Sequence, residues 1–244
     1  MYQDILTIAV VTVFAFFAIY WMWFQGEVDG SRLIAKNSMK QQKFNIILVL
    51  VAAFIVKAIL AVKNEGYSVD ITCFRSWSET VFTGGLSHFY EGDVTDYPPG
   101  YMLVLWLVAA IRHLFNIDNY STTGLFMIKL FPMLFDLAAA YLIYVMAKKR
   151  FSEGMSLMLS ALYALNPAVV IDSSVWGQVD GVLCCMVLLT CYLFMEEKRI
   201  LAYFAFCAGV LLKPQMVMFA PIIIYSIIEQ VFLHDFNTKK MLRD

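Results

Sequence analysis

The chain has 244 residues, of which 61% are apolar and only 15% are charged, whereas about a quarter of the residues of a soluble domain are charged. This composition predicts a membrane protein that crosses the bilayer several times. The net charge of -1 leaves no basic surface that would displace counterions from nucleic acid, so a nucleic-acid partner is not expected.

The first apolar stretch, residues 5–24, is long enough at about 1.5 Å per residue to cross a hydrocarbon core about 30 Å thick. It lacks the basic start and the small-residue cleavage site of a signal peptide, so we interpret it as a retained span. Residues 26–43 form a basic loop, which the positive-inside rule assigns to the cytoplasm, and this puts the N-terminus outside. The second span, residues 44–62, then leads to the external face.

Residues 66–101 form the longest polar interval of the chain and are rich in carboxylates and aromatic rings. Ordering a long loop costs conformational entropy, and a connection without a function can be short. Long ordered loops are therefore usually functional. We therefore expect the functional part of the chain to include this loop.

The next stretch, residues 101–115, is apolar but short, and it contains Arg112 and His113. If it crossed the membrane, the basic residues 148–150 would lie outside, against the positive-inside rule. We therefore expect an amphipathic or re-entrant helix that stays at the external interface. The external loop then covers residues 63–123.

Five further apolar stretches predict the remaining spans, at residues 124–147, 155–171, 181–195, 200–212 and 216–233. With these spans, all the basic clusters face the cytoplasm. The sequence thus predicts an all-α, polytopic membrane protein with about seven transmembrane helices and a long external first loop that contains amphipathic helices. Residues 1–43 form an extra span and basic loop, residues 44–233 the main transmembrane module, and residues 234–244 a cytoplasmic tail.

Asp70 follows the predicted end of the second span, close to the bilayer surface. A carboxylate held there is suited to act as a general base that takes a proton from an acceptor hydroxyl. The structural alternative is an N-cap, because the residues after Asp70 are typical of a helix. The residues alone leave both roles open.

The motif DYPP, residues 96–99, is rigid, because each proline fixes its own backbone angle and makes its predecessor extended. One interpretation is that Asp96 and Tyr97 lie under a donor or acceptor sugar. The other is a plain turn before the next helix.

The motif WGQVD, residues 176–180, brings an indole, an amide and a carboxylate to the same predicted external boundary. Gln178 and Asp180 are of the types that hold sugar hydroxyls, and an aromatic ring such as Trp176 packs on sugar faces. The structural alternatives are an interfacial tryptophan anchor and an aspartate that caps the following helix.

Lys213 ends one predicted span and Gln215 opens the next, on the external side where the positive-inside rule disfavours cations. An anionic partner such as a lipid-linked phosphate would stabilise Lys213 there. The alternative is a lysine that snorkels at a helix end.

Lys57, Lys129 and Asp136 lie inside predicted spans, where ionisable groups are functional hypotheses by default. Lys129 and Asp136 share one helix face, and a structural pairing is the alternative interpretation.

Taken in order, these motifs resemble the GT-C superfamily of integral-membrane glycosyltransferases. The resemblance rests on Asp70, Trp77, a Gly-Gly…Phe-Tyr segment that ends at Tyr90, DYPPG at 96–100, Asn-Pro at 166–167, WGQVD at 176–180 and Lys-Pro-Gln at 213–215. It covers roughly residues 44–233. Within this superfamily the chain resembles bacterial mannosyltransferases similar to the second GPI mannosyltransferase, and dolichyl-phosphate-glucose glucosyltransferases share the DYPP element.

The resemblance implies an inverting enzyme that moves a hexose, with mannose favoured over glucose, from a polyprenyl-phosphate donor. The implied acceptor is a glycan, lipid or protein on the non-cytoplasmic face, and Asp70 is the implied catalytic base. The implied substrate-binding set comprises Arg75, Trp77, Asp96, Tyr97, Trp176, Gln178, Asp180, Lys213 and Gln215.

The resemblance implies no metal cofactor, and no cysteine or histidine spacing indicates zinc. A metal-dependent enzyme that uses Asp70 with Asp96 or Asp180 stays open as an alternative. GT-C enzymes usually have more spans than this chain, so we expect a fragment or a form that needs a membrane partner subunit. The expected location is the bacterial plasma membrane, among membrane lipids, with the active site outside. The rival class is a non-catalytic transporter or assembly subunit that keeps the scaffold.

Overall fold

The structure is a computed structural model that describes residues 39–92, 95 and 97–229. All regular elements within this part of the chain are helical, which confirms the all-α class. The predicted first span, the predicted loop up to residue 38 and the predicted tail lie outside the described residues.

In chain order the helices are α1 (Met39–Lys63), α2 (Ser68–Gly92), α3 (Pro99–Leu114), α4 (Thr122–Ala147), α5 (Glu153–Ala164), α6 (Pro167–Val170), a π-helix (Ile171–Trp176), α7 (Asp180–Met195), α8 (Arg199–Leu212), a 3-10 helix (Pro214–Phe219) and α9 (Ala220–Ile228). They form two compact units. The first unit holds described residues from 39–72 and 120–181, and the second holds described residues from 73–119 and 182–229.

In the first unit, α1, α4 and α5 pack against one another. Ala53, Ala140 and Ala164, one from each helix, are fully buried together at the centre of this packing. Small residues let helix backbones approach closely, which is how membrane helices gain packing energy. The hydroxyl of Ser160 adds a buried hydrogen bond of 2.8 Å to the carbonyl oxygen of Ala140.

Among the described helices, α1 and α4 are each long and apolar enough to cross a membrane. The predicted span at 155–171 is broken instead, because its two halves meet at an angle of 47°. The break falls at Asn166–Pro167, where proline cannot continue the ladder of the preceding helix. If the two halves count as one span, the described residues hold three candidate spans.

The helices at the other predicted spans are shorter. The segments α7 and α8 have 16 and 14 residues, and the predicted span at 216–233 begins inside a 3-10 helix. At about 1.5 Å per residue a 16-residue helix covers about 24 Å, less than a hydrocarbon core. The structure therefore supports a membrane protein, while the seven-span topology and the external side of the first loop stay predictions.

The predicted helix at 101–115 is present as α3, which begins two residues earlier, and its non-crossing position stays a prediction. Pro98 is extended at its N-cap and Pro99 is its first residue, so DYPP starts the helix as its fixed backbone angles predict. In the second unit α3 packs against α8. A side chain at Gly100 would meet the carbonyl oxygen of Leu211, so the close approach of these helices requires glycine.

Glu79 on α2 joins two side chains of α3. Its carboxylate accepts hydrogen bonds from the buried guanidinium of Arg112 and, at 3.0 Å, from the ring Nε2 of His113. The imidazole of His113 also stacks on Phe82, with ring centroids 4.4 Å apart. Burial acts to raise the pKa of Glu79, but the hydrogen bonds from His113 and Arg112 outweigh it, and the net pKa is lowered.

Acid should therefore loosen the contact between α2 and α3. A lowered carboxyl pKa stabilises the fold above the ordinary glutamate pKa of about 4.3, and this stabilisation is lost as the pH falls through the lower folded value. We expect Tm to fall from about pH 5 to about pH 3 more steeply in the wild type than in Glu79→Gln, which lacks the titrating group. Glu91→Gln changes an exposed carboxylate of the same helix and should keep the wild-type slope. Equal slopes for Glu79→Gln and the wild type would contradict this coupling.

Candidate active site

Asp70 lies in the first turn of α2, and its carboxylate is half-buried. Its Oδ2 accepts two hydrogen bonds, one of 3.0 Å from the indole Nε1 of Trp176 and one of 2.8 Å from the amide Nε2 of Gln178. Within the described residues, its Oδ1 has no hydrogen-bond partner. One oxygen is thus fixed by the protein and the other stays available as a proton acceptor.

The N-cap interpretation of Asp70 is wrong. The helix begins at Ser68, so Asp70 lies inside the first turn, and its side chain contacts Trp176 and Gln178 rather than capping its own helix. A negative charge in a first turn is favoured by the partial positive charge of the helix N-terminus.

The two donors are themselves held in place. The Oε1 of Gln178 accepts a hydrogen bond of 3.1 Å from the backbone N–H of Val179, which turns the Nε2 of the amide toward Asp70. The indole of Trp176 lies on Tyr67, with ring centroids 5.0 Å apart, and remains 45% exposed. Both polar atoms therefore aim at the carboxylate, while much of the indole stays accessible.

Two glycines with left-handed backbone angles allow these segments to meet. Gly66 has φ of 88° and Gly177 has φ of 89°, a region that residues with a Cβ rarely adopt. A Cβ at Gly66 would lie 2.8 Å from the carbonyl oxygen of Trp176, and one at Gly177 would lie 2.8 Å from the Cδ1 of Ile71. The backbone N–H of Tyr67 also donates a hydrogen bond of 2.9 Å to the carbonyl oxygen of Trp176.

Lys57 of α1 forms a buried ion pair with Asp136 of α4, with the Nζ of Lys57 2.8 Å from Oδ2 of Asp136. The same ammonium donates bonds of 3.1 Å to the hydroxyl of Ser173 and to the carbonyl oxygen of Val169. Asp136 therefore pairs with Lys57 and not with Lys129, its neighbour on the same helix. The ion pair holds the start of the π-helix against α1 and α4.

The other predicted site residues do not form hydrogen bonds with Asp70 among the described contacts. Asp180 is exposed and is the first residue of α7, and Asp96 lies outside the described residues. Arg75, Trp77, Tyr97, Lys213 and Gln215 belong to the second unit.

In the second unit, Trp77 and Tyr97 lie in one aromatic cluster, with ring centroids 5.6 Å apart. Phe74 contacts both rings. Lys213 is the C-cap residue of α8 and is only 5% exposed. The snorkelling interpretation of Lys213 is wrong, because a snorkelling side chain keeps its charge in water.

The sequence reasoning missed the contact of Tyr67 with Trp176 and the pairing of Lys57 with Asp136. The second was open to inference, because a lone charge inside an apolar segment is costly and is expected to find a partner of opposite charge. Within the described ranges no cluster of three metal-ligating side chains occurs.

Two comparisons with known proteins relate the chain to mannosyltransferases. GPI mannosyltransferase 1 of Saccharomyces cerevisiae is 27% identical over 128 residues, which make up 50% of this chain and 29% of the yeast protein. The chain thus spans less than a third of that relative. No solved structure matches the chain.

The family model of dolichyl-phosphate-mannose-protein mannosyltransferases matches residues 96–242. This segment contains WGQVD and Lys213 but begins after Asp70. The match of this family model agrees with the resemblance of the motifs to GT-C mannosyltransferases. Because the matched segment makes up more than half of the sequence, the chain belongs to the dolichyl-phosphate-mannose-protein mannosyltransferase family.

Proposed function

We propose that the chain is a glycosyltransferase, or the part of one, that moves mannose from a polyprenyl-phosphate donor to a glycan, lipid or protein hydroxyl. Asp70 acts as its general base. The observation that carries the proposal is the carboxylate of Asp70, whose Oδ2 is bound by Trp176 and Gln178 while Oδ1 has no partner among the described residues. The family supports mannose and a polyprenyl-type carrier, and the yeast relative supports mannosyl transfer.

The proposed step is a single displacement with inversion. The acceptor oxygen attacks the anomeric carbon, the bond from that carbon to the phosphate oxygen breaks, and polyprenyl phosphate leaves with the bonding electrons. The proton of the acceptor hydroxyl passes to Oδ1 of Asp70. General base catalysis of this kind contributes typically about 10²- to 10⁴-fold to a rate.

The two donors on Oδ2 suit Asp70 to this task. They hold the carboxylate in one orientation, so that no rotamer search precedes proton transfer. Because Oδ2 accepts both hydrogen bonds, the acceptor hydroxyl meets Oδ1. We interpret Trp176 and Gln178 first as partners of Asp70, and the exposed indole as a surface for a sugar ring.

Lys213 is our candidate for the donor phosphate, in line with its sequence position. It is a cation that lies directly after α8, and the lysine ammonium is a common ligand of phosphate groups. We place the reaction at the non-cytoplasmic face of the membrane, and the short coverage of the yeast relative favours a further chain or segment in the active assembly.

The proposal is tested with membranes from cells that do or do not produce the chain. They are supplied with radiolabelled mannose on a polyprenyl phosphate or on a nucleotide, and with glycolipid and peptide acceptors. We expect chain-dependent transfer from the polyprenyl phosphate alone, with an inverted product. Transfer from the nucleotide sugar alone, or equal transfer without the chain, would contradict the proposal. Loss of transfer on chelation would favour the metal-dependent alternative.

A further inference from the structure

Lys129 is fully buried on α4, and its ammonium binds backbone carbonyl oxygens of two separate segments. On one side it donates a bond of 2.7 Å to Asn64 and a longer one of 3.4 Å to Ala61. On the other side it donates bonds of 3.0 Å to Ser174 and 3.2 Å to Val175. One charge thus joins two stretches of main chain that lie about a hundred positions apart in the sequence.

These carbonyl groups lie at the C-terminal ends of two helices. The helix α1 ends at Lys63 and the π-helix ends at Trp176. The last carbonyl groups of a helix have no partner within it and carry the negative end of the helix dipole. The ammonium of Lys129 therefore donates hydrogen bonds to carbonyl oxygens at both helix ends. Its positive charge also stabilises the negative ends of both helix dipoles.

Both segments lead directly to the candidate active site. Gly66 and Asp70 follow the first segment, and Trp176 and Gln178 follow the second. A Cβ at Gly177 would lie 3.3 Å from the Cε of Lys129. The aliphatic part of the Lys129 side chain therefore packs against the turn that carries Trp176 and Gln178. Any shift of one helix end against the other changes the distance between Asp70 and its donors.

We infer that Lys129 is a positioning residue of the active site. Its ammonium fixes the Asp70 segment against the Trp176–Gln178 segment, so that Oδ2 stays hydrogen-bonded and Oδ1 stays oriented toward the acceptor. This inference rests on the proposed function only for its kinetic consequence, because the hydrogen bond between Asp70 and Trp176 can be followed without any sugar transfer.

The spectroscopic test uses the full chain with Trp176 as its sole tryptophan and the other four replaced by Phe. Asp70→Asn should change the emission maximum of Trp176, because it replaces the charged acceptor of the indole N–H by a neutral one. In the Lys129→Met background the same Asp70 substitution should no longer change the emission. An unchanged effect of Asp70→Asn in both backgrounds would overturn the inference, whatever the outcome of the transfer assay.

Ser160→Ala is the matched control, because it removes another buried hydrogen bond from the same unit and leaves the two helix ends in place. It should lower Tm but keep the effect of Asp70→Asn on the emission. If Lys129→Met does not fold, Lys129→Gln replaces it, since the glutamine side chain is one atom shorter, carries no charge and has two N–H donors for the four carbonyl oxygens that Lys129 reaches. The same loss of coupling is expected, and full coupling in Lys129→Gln would overturn the inference.

The kinetic test separates positioning from stability. Lys129→Met should lower kcat by about 10- to 100-fold, the size expected when reacting groups are misplaced by about 1 Å, with the donor KM changed by less than about three-fold. A residue with a purely structural role would lower Tm and leave the kcat of the folded fraction unchanged, and that result would overturn the inference.

Discussion

Asp70→Asn should lower the rate of sugar transfer by about 10²- to 10⁴-fold, the typical contribution of a general base, and leave the fold intact. The carbonyl oxygen of asparagine can accept the hydrogen bonds that Trp176 and Gln178 give to Oδ2. Its amide nitrogen then occupies the position of Oδ1, where it donates hydrogen bonds and cannot take a proton. The expected loss lies in kcat, because the substitution changes neither the size nor the anchoring of the side chain.

The control is Glu65→Gln, which neutralises an exposed carboxylate five positions earlier and should keep transfer within about two-fold of the wild type. Helicity and Tm of all variants are measured in the same lipid or detergent. Unchanged transfer in a folded Asp70→Asn chain would remove Asp70 from the role of base.

Lys57→Met should destabilise the first unit by about 3 to 5 kcal/mol, because it leaves the carboxylate of Asp136 buried without its counter-ion. Lys57 and Asp136 are 0% and 1% exposed, so water cannot take the place of the lost partner. The measurement is the free energy of unfolding in detergent, or the shift of Tm where unfolding is irreversible. Asp136→Leu should be similarly costly, since it leaves the ammonium unpaired.

The double variant Lys57→Met/Asp136→Leu should recover most of this loss, because removing both charges of a buried pair is often neutral or stabilising. A double variant as unstable as the single ones would show that the bonds from Lys57 to Ser173 and Val169 matter more than the ion pair. The double variant can also be compared with Asp70→Asn for its activity in cells. A folded double variant that is less active than Asp70→Asn would favour the transporter interpretation over the enzyme interpretation.

The features predicted correctly depend on local physics. The helix at Pro99 follows from two adjacent prolines, which fix the backbone angles of the first turn. The grouping of Asp70 with Trp176 and Gln178 came from topology, since all three were predicted at one membrane face. Their separate hydrogen bonds were not predicted, because they join residues more than a hundred positions apart through the geometry of two glycine turns.

The partners of the buried charges depend on packing between helices. Spacing along α4 suggested Lys129 and Asp136 as a pair, but the neighbouring α1 supplies Lys57 to Asp136. Lys129 instead binds backbone carbonyl oxygens, which are present at every position and leave no trace in the side-chain pattern. The break of the span at 155–171 was missed although Asn166 and Pro167 signal it, because apolar composition continues on both sides of this pair.

The π-helix that ends at Trp176 has a consequence for how related chains are compared. A π-helix closes its hydrogen bonds one residue later than an α-helix, so each turn holds an additional residue. The number of residues in Ile171–Trp176 therefore sets the direction in which the indole leaves the backbone. A relative that is one residue shorter here and winds as an ordinary α-helix would keep the sequence WGQ. The side chains of its Trp and Gln would then point away from the carboxylate that corresponds to Asp70. Among homologues, the length of this segment should therefore separate active from inactive chains better than the identity of its side chains.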